Sequence, residues 1–216
     1  MGISRSITHD VMQGPPPPPV EGGWGGGDGG NFDGRGVFRR ASFTGLFVML
    51  AASTMLFAAF TSAMVVRRGL SDDWAPMVKP PILLLNTGVL LASSLALELA
   101  RRALKSRRRA NFNRWWTAAT ILGLLFLGGQ ALAWGQLNAA GVFISSNPSS
   151  SFFYVLSVAH AIHLLGGVTA LCYVDVQAWR LQLGPAKRTV IDVSAIFWHF
   201  LDGLWLYLMV LFYVWG

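Results

Sequence analysis

Charge is scarce in this chain. Asp, Glu, Lys and Arg make up 12% of its 216 residues, against 53% hydrophobic residues. With a positive mean hydropathy, so little charge excludes an ordinary soluble domain and points to an integral membrane protein. Acidic residues are the scarcer sign, ten against seventeen basic ones, giving a net charge of +7. That basicity raises nucleic acid as a partner, but the placement of the cations accounts for it otherwise, so no nucleic acid is expected. Cysteine is nearly absent: Cys172, inside an apolar run, excludes an internal disulfide framework and reads as a small buried hydrophobe. Missing too are a glycine loop between strand and helix to cradle phosphate, and any pattern for nucleophilic catalysis. The N-terminal stretch has no apolar core of about 7–15 residues, so no signal peptide is expected there.

What is present begins with a separate tail over residues 1–37. Pro15–Pro19 is an unbroken proline run, and Gly22–Gly36 holds nine glycines in fifteen residues. Such a segment buries too little apolar surface to offset its ordering entropy, so it is expected to be disordered, or ordered only against a partner. Five apolar segments follow, at about 41–66, 81–100, 114–137, 152–175 and 192–215. Each is long enough to span a bilayer as a helix. The fold class is therefore all-α integral membrane, a five-transmembrane-helix bundle over 41–216 behind a Pro/Gly-rich tail.

The cations orient it. Arg5, Arg35, Arg39 and Arg40, the loop from Arg101 to Arg114, and Arg180, Lys187 and Arg188 must share one side, and together hold fourteen; Arg67, Arg68 and Lys79 are the three opposite. This asymmetry places the N-terminus in the cytoplasm and the C-terminus outside. Within the basic loop, Arg101, Arg102 and Arg108 read either as an orientation signal or as contacts to anionic lipid headgroups. Trp115 and Trp116, Phe152–Tyr154 and Trp215 fall where interfacial aromatic belts are expected.

Polar residues inside the segments carry the remaining information. His199 and Asp202 lie three apart in the last segment, and His160 and His163 three apart in the one before it. Small residues near them (Ala195 and Gly203; Gly166 and Gly167) suggest that two antiparallel helices approach closely and present these four groups to each other. Three readings are open from spacing alone: a hydrogen-bonded network that pins helix register, a metal or haem site, or a proton path. Glu98, with Asn86 and Ser93 or Ser94, marks an inward stripe on the second segment. It either pairs with Arg101 and Arg102 at i+3 and i+4 or serves as a functional carboxylate. Gln130 reads as a hydrogen bond between helices.

Three stretches go further: Trp198–Tyr207 (WHFLDGLWLY), Asn147–Gly167 (NPSSSFFYVLSVAHAIHLLGG) and Pro81–Ala103 (PILLLNTGVLLASSLALELARRA). In this order they resemble subunit III of the haem–copper respiratory oxidases, the cytochrome c oxidase type, over about Ala41–Gly216. The resemblance implies an accessory subunit in a bacterial plasma membrane. It would sit beside oxidase subunit I and the other oxidase subunits, support the stability and proton uptake of subunit I, and bind phospholipid. Haem and copper would reside in partner subunits, with none in this chain. His160, His163, His199, Asp202 and Glu98 would then form an interior polar network. Two departures stand out. The long form of the family has seven helices with a lipid-filled cleft, where this chain has five. Thr54, within LAASTMLFAAF, replaces the family's carboxylate, and a hydroxyl does not ionise at neutral pH. A homologous subunit of a quinol oxidase or nitric oxide reductase is the nearest alternative. A free-standing intramembrane haem or metal protein is the alternative from another class.

Overall fold

The computed structural model describes residues 34–70, 81–143, 147–180 and 187–215. Among them run five helices and no strand: α1 (Gly34–Leu70), α2 (Ile82–Lys105), α3 (Arg109–Ala139), α4 (Pro148–Trp179) and α5 (Lys187–Trp215). All five are long and apolar enough to cross a membrane. The chain is thus an all-α, multi-pass membrane protein. Up to residue 33 the expected tail lies outside the described residues, and residues 34–37 belong to α1.

Every helix extends past its expected limits at one end or both, α2 only at its C-terminal end, Lys105. The physical reason is that hydropathy marks the hydrocarbon crossing, whereas a helix continues until something ends it. The 37 residues of α1 reach about 55 Å at 1.5 Å per residue, well beyond the roughly 30 Å of hydrocarbon. Local chemistry sets the actual ends. Asn147 accepts a hydrogen bond from Ser150 N at 2.9 Å and Pro148 takes the first helical position, so α4 starts there. Gly141, at φ 76°, closes the end of α3 with the left-handed residue that helix termini favour. Between α2 and α3 the chain turns in three residues. Arg107 takes φ 58°, and Arg108 N donates to Ala103 O at 3.0 Å.

Four helices close on themselves: α2 packs on α3, α3 on α4, α4 on α5, and α5 back on α2. The largest side chains of the core come from all four, with the indoles of Trp116, Trp198 and Trp205 fully buried. Trp116 was expected in an aromatic belt, as were Phe153 and Tyr154. The first two are at most 1% exposed and Tyr154 is 8% exposed, and Trp116 Nε1 donates to Leu171 O on α4 at 3.0 Å. An indole N–H that finds a carbonyl inside the bundle has no need of the interface. Trp115, its neighbour, does face outward.

Helix α1 lies outside this ring, against α4 and α5. It buries a narrow stripe, Leu46, Ser53, Phe57 and Met64, with Leu50 and Phe60 half-buried between them. The spacing of three and four residues is that of a coiled-coil seam. Phe47, Val48, Met55 and Val66, elsewhere on α1, are exposed.

Candidate functional site

The ionisable side chains expected to meet at one depth are distributed over separate contacts. His160 is 1% exposed and sits inside the ring. It stacks on Trp205 of α5 at 5.1 Å between centroids and meets the edge of Phe126 of α3 at 6.3 Å. His163 instead faces α1, its ring edge-on to Phe57 at 5.6 Å, and its Nδ1 donates to Ala159 O of its own helix at 2.8 Å. A separation of three residues rotates the side chain by roughly 60° around the helix axis. Here that rotation is enough to send one imidazole into the core and the other toward the outer helix.

His199 and Asp202 turn to α2 rather than to the histidines of α4. His199 Nδ1 shares a 2.6 Å hydrogen bond with Ser94 Oγ. Asp202 is 4% exposed, its nearest ionisable neighbour is His199 Nδ1 at 4.0 Å, and neither carboxyl oxygen has a hydrogen bond within the described chain. Among the described residues no three His, Cys, Asp or Glu side chains gather where they could hold a metal. The small residues also divide. A Cβ on Gly167 would lie 3.1 Å from Leu201, so α4 and α5 do approach there, whereas Gly166 and Gly203 have nothing within 4 Å.

This arrangement separates two substitutions. Ser94→Ala removes the partner of His199 and is expected to cost about 1 kcal/mol. Asp202→Leu breaks no hydrogen bond among the described residues and is expected to change stability by less than about 1 kcal/mol. Thermal unfolding in mild detergent measures both, and a loss well above about 1 kcal/mol for Asp202→Leu would contradict an unanswered carboxyl.

At the basic end, Glu98 meets Arg101 at 3.4 Å and Arg102 at 3.3 Å, and Arg101 also reaches Asp192 of α5 at 3.5 Å. The carboxylate is thus held by its own helix, while Arg101 ties α2 to α5. These groups are partly solvent-facing, so Arg101→Gln is expected to cost about 0–1 kcal/mol, read as a small fall in unfolding temperature. Arg108, exposed, precedes the first residue of α3 and brings a further cation to the same end.

Thr54 lies on the outer side of this arrangement. Its hydroxyl donates to Leu50 O at 2.8 Å, and it lines a largely apolar groove of about 350 Å³ between α1 and α5 with Phe57, Phe200, Gly203 and Tyr207.

Several interior polar contacts escaped sequence reasoning. Thr117 Oγ1 donates to Asp175 at 2.7 Å, Trp134 Nε1 to Ser157 Oγ at 3.1 Å, and Trp205 Nε1 to Thr87 Oγ1 at 3.0 Å. The available signal was the indoles themselves: a buried Trp N–H needs an acceptor, and a hydroxyl on the facing helix supplies one. Gln130, expected to bond across helices, is 1% exposed with neither amide atom partnered among the described residues. Asn86 does make such a bond, donating to Phe126 O at 3.0 Å, as does Ser93 to Ala119 O at 2.8 Å.

Comparison with known proteins adds to this geometry. The family described as cytochrome c oxidase subunit III matches residues 40–216. Cytochrome c oxidase subunit 3 of Thermostichus vulcanus is 27% identical over 177 residues, covering 79% of this chain and 85% of that protein. Cytochrome c oxidase subunit 3 of Corynebacterium diphtheriae is 30% identical over 175 residues, 78% of this chain and 85% of the relative. The probable subunit 3 of Mycobacterium tuberculosis is 30% identical over 176 residues, with the same coverage of 78% and 85%. The match takes in all the described helices from Arg40 onward, so the chain belongs to the cytochrome c oxidase subunit III family.

Proposed function

We propose that this chain is an accessory, non-redox subunit of a haem–copper terminal oxidase, working beside subunit I in a bacterial plasma membrane. The observation that carries the reading is where its histidines go. Each of the three histidines among the described residues makes a contact with a neighbouring helix or its own backbone: His160 with two aromatic rings, its ring nitrogens making no hydrogen bond there, His163 with a carbonyl and a ring, His199 with a serine hydroxyl. Ionisable groups at bilayer depth persist when they face other protein groups. Haem and copper then belong to partner subunits. The work of this chain is lateral: it covers an apolar face of subunit I, holds phospholipid, and supports proton uptake by its neighbour.

The outer surface of α1 fits that role. Its exposed apolar side chains suit either lipid or a partner helix, and neither demands a polar match. The basic loops, in this reading, lie in the cytoplasm, with the C-terminus outside.

Deleting the chain from the oxidase tests the proposal. The haem spectrum of the remaining complex is expected to stay nearly unchanged while its active lifetime shortens. Loss of a haem per complex on deletion would overturn it. Co-purification in mild detergent identifies the catalytic subunit, and with it the electron donor, cytochrome c or quinol.

A further inference from the structure

At the basic end of the bundle, α2 and α5 leave a surface pocket of about 200 Å³ between them. Its walls are Arg101, Leu104 and Lys105 from α2, and Arg188, Ile191 and Asp192 from α5. Three cations face one carboxylate. Asp192 is engaged by Arg101 at 3.5 Å, which leaves the charge of Lys105 and Arg188 unbalanced. Among the described residues neither of those two makes an ion pair, and both are exposed. Arg101 adds a fixed element: held by Glu98 on one side and Asp192 on the other, it presents its guanidinium with little freedom left to lose.

The remaining walls are apolar. Ile191 is 2% exposed and forms the floor, and Leu104 is half-buried beside it. We propose that this pocket binds a phosphate group carried by an anionic phospholipid. Lys105 and Arg188 would contact the phosphate oxygens, and Leu104 the glycerol and first acyl carbons. Cationic side chains donate charge-assisted hydrogen bonds to phosphate, and lysine and arginine near the membrane surface attract anionic headgroups. A free phosphate ion would use the same cations, but the pocket lies at the ends of two helices long and apolar enough to cross a membrane, where a headgroup sits with its acyl chains in the bilayer, which is why the lipid is favoured. The inference rests on the lipid-binding part of the function proposed above and gives it an address. It also shifts the expected contacts. Of Arg101, Arg102 and Arg108, Arg101 alone lines the pocket, joined by Lys105 and by Arg188 from a distant stretch of the chain.

The test uses the intact oxidase complex containing this chain, stripped in detergent and returned to nanodiscs. One set contains phosphatidylglycerol and another phosphatidylcholine with the same acyl chains. Lipid retained after re-extraction is counted by mass spectrometry, and binding of labelled inorganic phosphate to the stripped complex is measured in parallel. The double substitution Lys105→Gln/Arg188→Gln is compared with Arg109→Gln/Arg114→Gln, which removes two exposed cations outside the pocket. Only preparations with the full subunit complement and an unchanged haem spectrum are scored, so a failure of assembly is not mistaken for a failure of the pocket. Retained phosphatidylglycerol is expected to fall about tenfold in the pocket variant and to stay at the wild-type level in the control. Phosphatidylcholine is expected to be retained poorly by all three. A fall confined to inorganic phosphate would assign the pocket to the free ion and overturn the lipid. Equal retention in the pocket variant and the wild type, or equal losses in both variants, would overturn the site altogether.

Discussion

Trp205→Ala is expected to lower the stability of the bundle by about 2–4 kcal/mol, the largest effect of any single truncation in the chain. The indole is fully buried on α5 and joins three other helices. Its Nε1 donates to Thr87 of α2 at 3.0 Å, its face stacks on His160 of α4, and the edge contact with Phe126 of α3 is 5.1 Å between centroids. Removing a Trp from a water-soluble core costs roughly 3–5 kcal/mol, part of which is transfer out of water. In a bilayer the separated helices already sit in lipid, so that part is largely missing, and lost contacts and the lost hydrogen bond remain. Unfolding titrations in mixed detergent micelles measure the loss. Trp205→Phe keeps much of the contact area but not the N–H, and should recover all but about 1 kcal/mol. A loss below about 1 kcal/mol for alanine would show that the indole does not hold the four helices together.

Gly129→Val is expected to cost about 2–4 kcal/mol, combining overpacking with a displaced buried amide. A Cβ built on Gly129 falls on the carboxamide of Asn86, across the contact between α2 and α3. Asn86 is 3% exposed and donates to Phe126 O, so it has nowhere to retreat without giving up that bond. Gly128, the preceding residue, has nothing within 4 Å of the same position, and Gly128→Ala should be neutral in the same assay. The two sites differ by one residue, a rotation of about 100° around the helix. Pairing Gly129→Ala with Asn86→Ala should then cost less than the sum of the single changes, because the second substitution removes the obstacle. Additive losses would contradict direct contact.

How much of this was legible in the sequence depends on what each residue type reports. Apolar runs identify a hydrocarbon crossing, and all five were found that way. They do not report helix ends, which are set beyond the apolar cores by features such as the cap at Asn147 and the positive φ of Arg107. Charge spacing along one helix was also readable: Glu98 meets Arg101 and Arg102 within its own helix. Spacing between histidines was a weaker guide. It placed His160 and His163 on one broad face of α4 but could not say that two different helices cover that face. The neighbour of a residue in space is a property of the whole ring, and no local pattern contains it. The same holds for Trp116, whose partner Leu171 is 55 positions away. In the family motif the residues were recognised as a set, yet the contacts they make differ from residue to residue.

The position of α1 outside the ring bears on the order in which the protein is made. It leaves the ribosome before the other four, but the surfaces it rests on belong to α4 and α5, the last to be synthesised. Tyr207 of α5 reaches Thr61 of α1 at 3.1 Å, across 146 positions of chain. During synthesis α1 therefore waits in the bilayer, its seam of Leu46, Phe57 and Met64 covered by lipid tails, until first α4 and then α5 arrive. The neighbouring α2 and α3, joined by three residues, can pair long before that. Assembly of this chain finishes with the return of its beginning, and its newborn form offers the translocation machinery an unclaimed helix for almost the whole of its synthesis.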